Sequence, residues 1–235
     1  MAGLVGVTYE HIDEIDPLLK LRERWPQGLP IIRPMYHTGI LVGKGDHVEC
    51  KIARFGISRQ FSSFNARSEK LQESRLWKSM FGKSHAVAPL SYIVEWRQEE
   101  KQRIPYLIAR KDAKIMMTPA LMAPCFDDKS DLGFAICTRE PSKFFAHFHD
   151  RMVGVLTPML MDRWLNPGSS TPEELMECIR CPDEDELVAR RAKGEPSKKT
   201  ADDTRPIETV GNPLTIKDFE SGNAKKKTGQ ARLTD

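Results

Sequence analysis

The chain has 235 residues, 40% hydrophobic and 29% charged, with a net charge of +3. That length suits one domain with trimmings or two small ones, and the charge excludes global basicity as a means of gripping nucleic acid while allowing a local basic cleft. No apolar run approaches the ~20 residues of a membrane span, and Met1 to Val7 lacks the basic start of a secretory signal, so a cytoplasmic protein is expected.

Over residues 8–24, Ile12, Ile15, Leu18, Leu19 and Leu21 recur at helical spacing, and Pro26 and Pro30 end the run. Ile40-Leu41-Val42 and Val48 to Ile57 are strand-like and are joined by Gly43-Lys44-Gly45-Asp46, which predicts a hairpin. Residues 66–81, with Leu71, Leu76, Trp77 and Phe81 among charges, predict a helix. From 85 to 138 the chain is β-rich: Ala86 to Pro89, Tyr92 to Trp96, a charged turn from Gln98 to Arg103, Pro105 to Ile108, Lys114 to Met117 and Gly133 to Cys137. Short helices are expected at Pro141 to Phe148 and Met159 to Leu165. Thr171-Pro172-Glu173-Glu174 is a helix start with a capping box, so helices near 172–180 and 183–192 are expected. Beyond Gly194 the chain is polar, either a tail wrapping the domain or disorder, giving a domain over 1–194 and an extension over 195–235.

The cysteine count is odd. Cys50, Cys125 and Cys137 sit in apolar contexts as reduced thiols, and the single pair Cys178-Ile179-Arg180-Cys181 lacks the second pair or histidines that zinc needs. No metal site is expected, nor any other cofactor. No Gly-rich phosphate loop and no GxSxG elbow is present.

Three islands carry the chemistry: Asn65-Ala66-Arg67-Ser68-Glu69, Glu95-Trp96, and His149-Asp150-Arg151-Met152. They supply an amide, a carboxyl and an imidazole, with two arginines, a kit for proton transfer beside an anion. Two environments fit Glu95. Beside Trp96 and β-branched residues it is a partly desolvated acid with a raised pKa; on an outward strand face it is simply solvated. His149 is either a tuned base next to Asp150 or a packed histidine. Asn65 and Arg67 stand where a strand gives way to a helix, as an anion grip or as a helix cap with a surface arginine. Phe55, Phe64 and Trp96 either stack on unpaired bases or fill the core.

In order and spacing the islands resemble the SOS-response-associated peptidase (SRAP) family, with its asparagine-alanine-arginine-x-glutamate, glutamate-tryptophan and histidine-x-arginine-methionine motifs. The resemblance spans residues 1–165, ending at Trp164-Leu165, with weaker matches at Phe55-Gly56-Ile57 and Ile136-Cys137-Thr138. It implies a single α+β domain with a curved, barrel-like antiparallel β-structure and helices packed outside. It implies a monomer that binds abasic sites in single-stranded DNA and takes no membrane partner. By the same resemblance Asn65 positions the N-terminal residue, while Glu95 and His149 move protons. Arg67 and Arg151 hold phosphates and Thr138 lines the groove, while Phe55, from its aromatic ring, is expected to contact DNA by stacking on a base.

Members of the family expose a cysteine after the initiator methionine; its α-amine attacks the abasic aldehyde and its thiol closes a thiazolidine. This chain has Ala2 in that place, Leu4 where the family has arginine, and Val153 where it has proline. Thiazolidine formation is therefore excluded. Removal of Met1 ahead of the small Ala2 leaves an α-amine with an ordinary pKa of about 7.7–8.0, able to form a reversible imine. The expected function is transient Schiff-base capture, with β-elimination as its lyase outcome and SRAP-type activity weakened by Ala2. The alternative is a non-catalytic binder of single-stranded or damaged DNA on the same scaffold.

Overall fold

The computed structural model describes residues 4–6, 31–60, 63–198 and 207–222. Ala2 and the helix expected over 8–24 lie outside them. Five strands form a closed barrel: β2 (His37–Lys44), β3 (His47–Phe55), β5 (His85–Leu90), β8 (Met116–Pro124) and β9 (Leu132–Arg139). The ring runs β9–β3–β2–β5–β8 and returns to β9, with β3 meeting β9 only at Arg54 and Phe55. A second sheet has the order β1 (Leu4–Gly6), β6 (Tyr92–Glu99), β7 (Gln102–Arg110), β11 (Leu187–Ala192) and β12 (Thr209–Leu214). Ser91 alone separates β5 from β6, so the chain passes from barrel to second sheet across one residue.

The β2–β3 hairpin turns on Gly45-Asp46, with Lys44 opposite His47. Gly45 has φ +71°, a conformation that costs a residue without a Cβ little. Most pairings are antiparallel, as the resemblance implied, but β9 also takes two parallel partners. Arg54 and Phe55 of β3 pair with its start, and β4 (Asn65–Arg67) continues along the same edge. On its other edge β8 gives way to β10 (Met152–Val153). Two of the three sequence islands, those of Asn65 and of His149, are thereby pinned to one strand.

Helices pack outside. They are α1 (Arg75–Lys78), α2 (Pro158–Leu165), α3 (Pro172–Cys178) and α4 (Ile216–Glu220). None of the described helices is long and apolar enough to cross a membrane. On α2, the fully buried Trp164 donates its indole N–H to the Ala86 carbonyl at 2.8 Å. His85 donates from Nδ1 to the Trp164 carbonyl and accepts the Gly82 N–H at Nε2. Both ring nitrogens of His85 are thus used by the neutral form, and burial lowers its pKa to about 4. A Cβ at Gly43 would lie 2.5 Å from the Leu165 carbonyl oxygen, so this glycine lets α2 approach β2. The capping box on α3 is formed as expected: Glu174 N–H reaches Thr171 Oγ1, and Glu174 accepts from Thr171 N–H.

Two expected helices are corrected. Over 66–81 the chain makes β4, one 3-10 turn at Ser68–Lys70 and the single turn of α1. Ala66 is buried in register with Cys137, and a residue committed to a strand ladder cannot also start a helix. Over 183–192 the chain makes a 3-10 turn at Glu184–Glu186 and then β11. Leu187 and Ala189 join the main core while Ala192 joins a smaller cluster with Tyr92, Val94 and Ile207. That two-faced burial is a strand pattern. Beyond Gly194, β12 pairs with β11, and Leu214, Ile216 and Phe219 pack on the main core.

Candidate active site

Glu95 stands in the middle of β6, directly opposite Tyr106 of β7. It is 2% exposed, and its Oε1 is buried without a hydrogen-bond partner. Burial pushes its pKa up to about 7; Asp150 pushes in the same direction and Arg103 opposes it. Of the two environments open at the sequence level, the structure has the desolvated one. Both faces of β6 are covered: Ile93 belongs to the main core, and Tyr92 and Val94 to the smaller cluster.

His149 follows a 3-10 turn, Phe145–His147, whose Phe148 packs edge-on against Tyr106 at 5.3 Å between ring centroids. This contact brings the third island onto the face of β7 that meets Glu95. His149 and Glu95 also share the fields of Asp150 and Arg103. The His149 pKa is lowered, chiefly by burial, with Asp150 opposing. Its Nδ1 accepts the Arg151 N–H at 3.0 Å and lies 2.7 Å from Asp150 Oδ1. One nitrogen cannot do both at once. Neutral His149 accepts from Arg151 and carries its proton on Nε2; protonated His149 donates from Nδ1 to the Asp150 carboxylate. The ring has a partner in either state, which suits a group that cycles a proton.

Asn65 opens β4 beside Ile136 of β9. Its Oδ1 and Nδ2 are both buried without partners, and so is Thr138 Oγ1 two residues further along β9. Unsatisfied buried polar atoms are costly, and three on adjacent strands form a polar recess rather than ordinary core. Arg67, opposite Thr138, is exposed.

Two of the expected DNA contacts take other roles. Phe55 is fully buried, stacked on Phe134 at 5.2 Å and edge-on to Phe64 at 5.6 Å. It is core, and the side chain has no face left for a base. Arg151 is turned inward: its guanidinium makes a two-pronged bond to Glu69, at 2.7 and 2.8 Å, and donates to the Thr138 carbonyl at 2.9 Å. Both terminal nitrogens are thus engaged within the protein, and Arg151 ties the first and third islands together. Glu69, present in the first island but given no role from sequence, is the partner that fixes it. Arg103 has no signal in the sequence, whereas Asp150, read there as the neighbour that tunes His149, keeps that place in the structure. Cys137 is fully buried under β4 with its thiol pKa raised by burial, so it is no nucleophile here.

The closed barrel, the flanking sheet and the three converging islands define one class of protein. A sequence profile of the SOS response associated peptidase (SRAP) family matches residues 32–195, and the chain belongs to that family. Among curated relatives it is 30% identical over 182 residues to the abasic site processing protein YMR114C of Saccharomyces cerevisiae, covering 74% of this chain and 48% of that one. It is 27% identical over 132 residues to the abasic site processing protein YobE of Bacillus subtilis, covering 55% and 60%. The chain thus spans about half the length of the curated relatives it matches. A crystal structure of a Bordetella bronchiseptica protein superposes with a TM-score of 0.66 at 14% identity, covering 81% of this chain and 99% of that one. One from Bacteroides thetaiotaomicron gives 0.64 at 20%, covering 84% and 89%. These two share the fold.

Proposed function

We propose that this chain processes abasic sites in single-stranded DNA by reversible imine capture through the Ala2 α-amine. The observation that carries the proposal is Glu95, a buried carboxyl with a pKa near neutrality in the same neighbourhood as His149. Pure binding has no use for such a pair. The names of the curated relatives as abasic site processing proteins support the substrate class.

The register of β1 supports the choice of nucleophile. Leu4 lies opposite Val94, the neighbour of Glu95. Ala2 precedes Leu4 by two residues, at most ~7 Å of extended chain. The neutral amine attacks the ring-opened C1 aldehyde, and the carbonyl oxygen takes a proton to give a carbinolamine. Protonated Glu95 donates to the departing hydroxyl, water leaves, and the nitrogen proton passes to the Glu95 carboxylate or to His149. A carboxyl with a pKa of about 7 serves in both directions. Ala2 has no thiol, so the imine is not trapped as a ring. It hydrolyses back, or loses a C2 proton and expels the 3′ phosphate. Within this scheme Asn65 and Thr138 hydrogen-bond the sugar or the N-terminal backbone, and Arg67 holds a phosphate.

The experiment mixes the purified chain, its Met1 removal verified by intact mass, with single-stranded DNA containing one abasic site, with and without borohydride, on a denaturing gel. A band that needs borohydride and disappears when the N-terminus is blocked is expected. An adduct that forms without reductant would mean a different nucleophile. A native gel shift with no adduct in either lane would leave a DNA binder without the chemistry.

A further inference from the structure

Helix α4 lies beyond residues 32–195 of the family match, and it meets the site through Phe219. The Phe219 ring stacks on His147, with centroids 4.0 Å apart and planes at 9°, and takes Phe144 and Phe148 edge-on at 5.9 and 5.7 Å. These three residues lie in or beside the 3-10 turn that leads into His149. The same ring has the Arg97 guanidinium 4.9 Å from its centroid. Arg97 follows Glu95 by two residues on β6 and so shares its face of the strand. Its guanidinium is paired with Glu99 at 3.1 Å, and Glu99 accepts the Tyr106 hydroxyl at 2.7 Å. Tyr106 touches Phe148 in turn, which closes a circuit of contacts: Phe219, Arg97, Glu99, Tyr106, Phe148. Glu95 lies opposite one member, Tyr106, and two residues from another, Arg97. The helix is fixed where it starts: Asp218 accepts from the Thr215 N–H at 2.8 Å and from its hydroxyl at 2.9 Å, and Ile216 is buried.

We infer that Phe219 is a positioning residue: it clamps the turn at His147 to Arg97 of β6 and so sets where His149 stands relative to Glu95. The inference deepens the imine-capture reading above and rests on it. Phe219 acts through its neighbours, not on substrate. His149 follows Phe148 directly in the chain, so any shift of the turn carries the imidazole with it. Proton transfer needs hydrogen-bond reach, ~2.6–3.2 Å, and a misplacement of ~1 Å can cost about a hundredfold in rate. Stacking on His147 and the cation–π contact with Arg97 both need an aromatic ring at position 219, whereas filling the core needs only its volume. That difference separates positioning from packing.

The test compares the full chain with three variants. Phe219→Leu keeps apolar volume and loses the ring, Phe219→Tyr keeps the ring, and His147→Ala removes the stacking partner. His147 is exposed, so its variant keeps the test valid should Phe219→Leu fold poorly. Two quantities are measured: the rate of borohydride-trapped adduct formation at saturating abasic single-stranded DNA, and the NMR titration of the His149 ring in the free protein. Phe219→Leu and His147→Ala are expected to slow trapping about tenfold or more, with affinity for unmodified single-stranded DNA within about twofold of wild type. Phe219→Tyr is expected to restore the rate. The His149 midpoint, held down chiefly by burial, is expected to rise toward its ordinary 6.5 in Phe219→Leu and His147→Ala as the turn loosens. A wild-type trapping rate or an unmoved His149 midpoint in these two variants, once folded, overturns the positioning role and leaves the imine reading standing. So does a Phe219→Tyr variant as slow as Phe219→Leu. A wild type that gives no borohydride-dependent adduct overturns the imine reading instead, and the His149 midpoints then decide the positioning role by themselves.

Discussion

Replacing Glu95 by Gln tests whether this carboxyl is held against its solvation preference. The two side chains have the same shape, and Glu95 Oε1 has no hydrogen-bond partner to lose. The carboxyl has an ordinary pKa of 4.5 and about 7 in the fold. Between those values the folded state binds more protons than the unfolded state, so stability falls as pH rises. The full benefit of a neutral Glu95 is present below pH 4.5 and is lost as pH rises through 7. That difference corresponds to about 3 kcal/mol at pH 8. Glu95→Gln is thus expected to stabilise the protein at pH 8 by up to about 3 kcal/mol, some 6–12 °C in melting temperature for a domain of this size. At pH 4 the two melting curves are expected to coincide. Borohydride-trapped adduct should drop in the same variant, since an amide transfers no proton. Melting curves that coincide at both pH values would refute the reasoning, because they would place Glu95 in contact with solvent or a cation.

Other expectations follow from the same geometry. Arg151→Lys keeps the charge but loses the two-pronged bond to Glu69. Glu69 is half exposed, so the expected cost is only about 1–2 kcal/mol, read from the urea midpoint, while the salt slope of DNA binding stays unchanged; a slope shallower by ~0.7 would instead make Arg151 a phosphate ligand. His85, at about 4 in the fold against 6.5 ordinarily, binds its proton more readily when unfolded. Stability from this group is therefore complete above pH 6.5 and is lost as pH falls toward 4, by about 3 kcal/mol in total; an NMR titration of the His85 ring near 6.5 would show that the ring is not sealed under Trp164.

Much of the scaffold was legible in the chain because its signals are local. Gly45-Asp46 sets a hairpin and Thr171 with Glu174 sets a helix start, each by bonds within a few residues. The errors fall where a distant partner decides. Leu187 to Ala192, with two arginines in six residues, resembles an exposed helix until β7 and β12 close on both its edges. Phe55 has the composition of a stacking platform, and only the return of β9 with Phe134 makes it core. Arg151 has the sequence context of an anion ligand, yet its acceptor is Glu69, 82 residues away. Glu95 shows the limit most clearly: alternation along β6 cannot say whether one face or both are covered, and the pKa depends on that alone.

The tie between Glu69 and Arg151 also makes the site depend on the assembled barrel. β9 gathers β8, β10, β3 and β4, and contacts between such distant segments carry a loop-closure cost that slows folding. The polar recess at Asn65 and the turn carrying His149 are both fastened to β9, so neither exists before the barrel has shut. On the imine chemistry proposed above, a nascent or damaged chain would expose an amine without the Glu95 and His149 environment placed beside it. Aldehydes encountered before folding is finished would meet an ordinary N-terminus, and competence would arrive together with the native state.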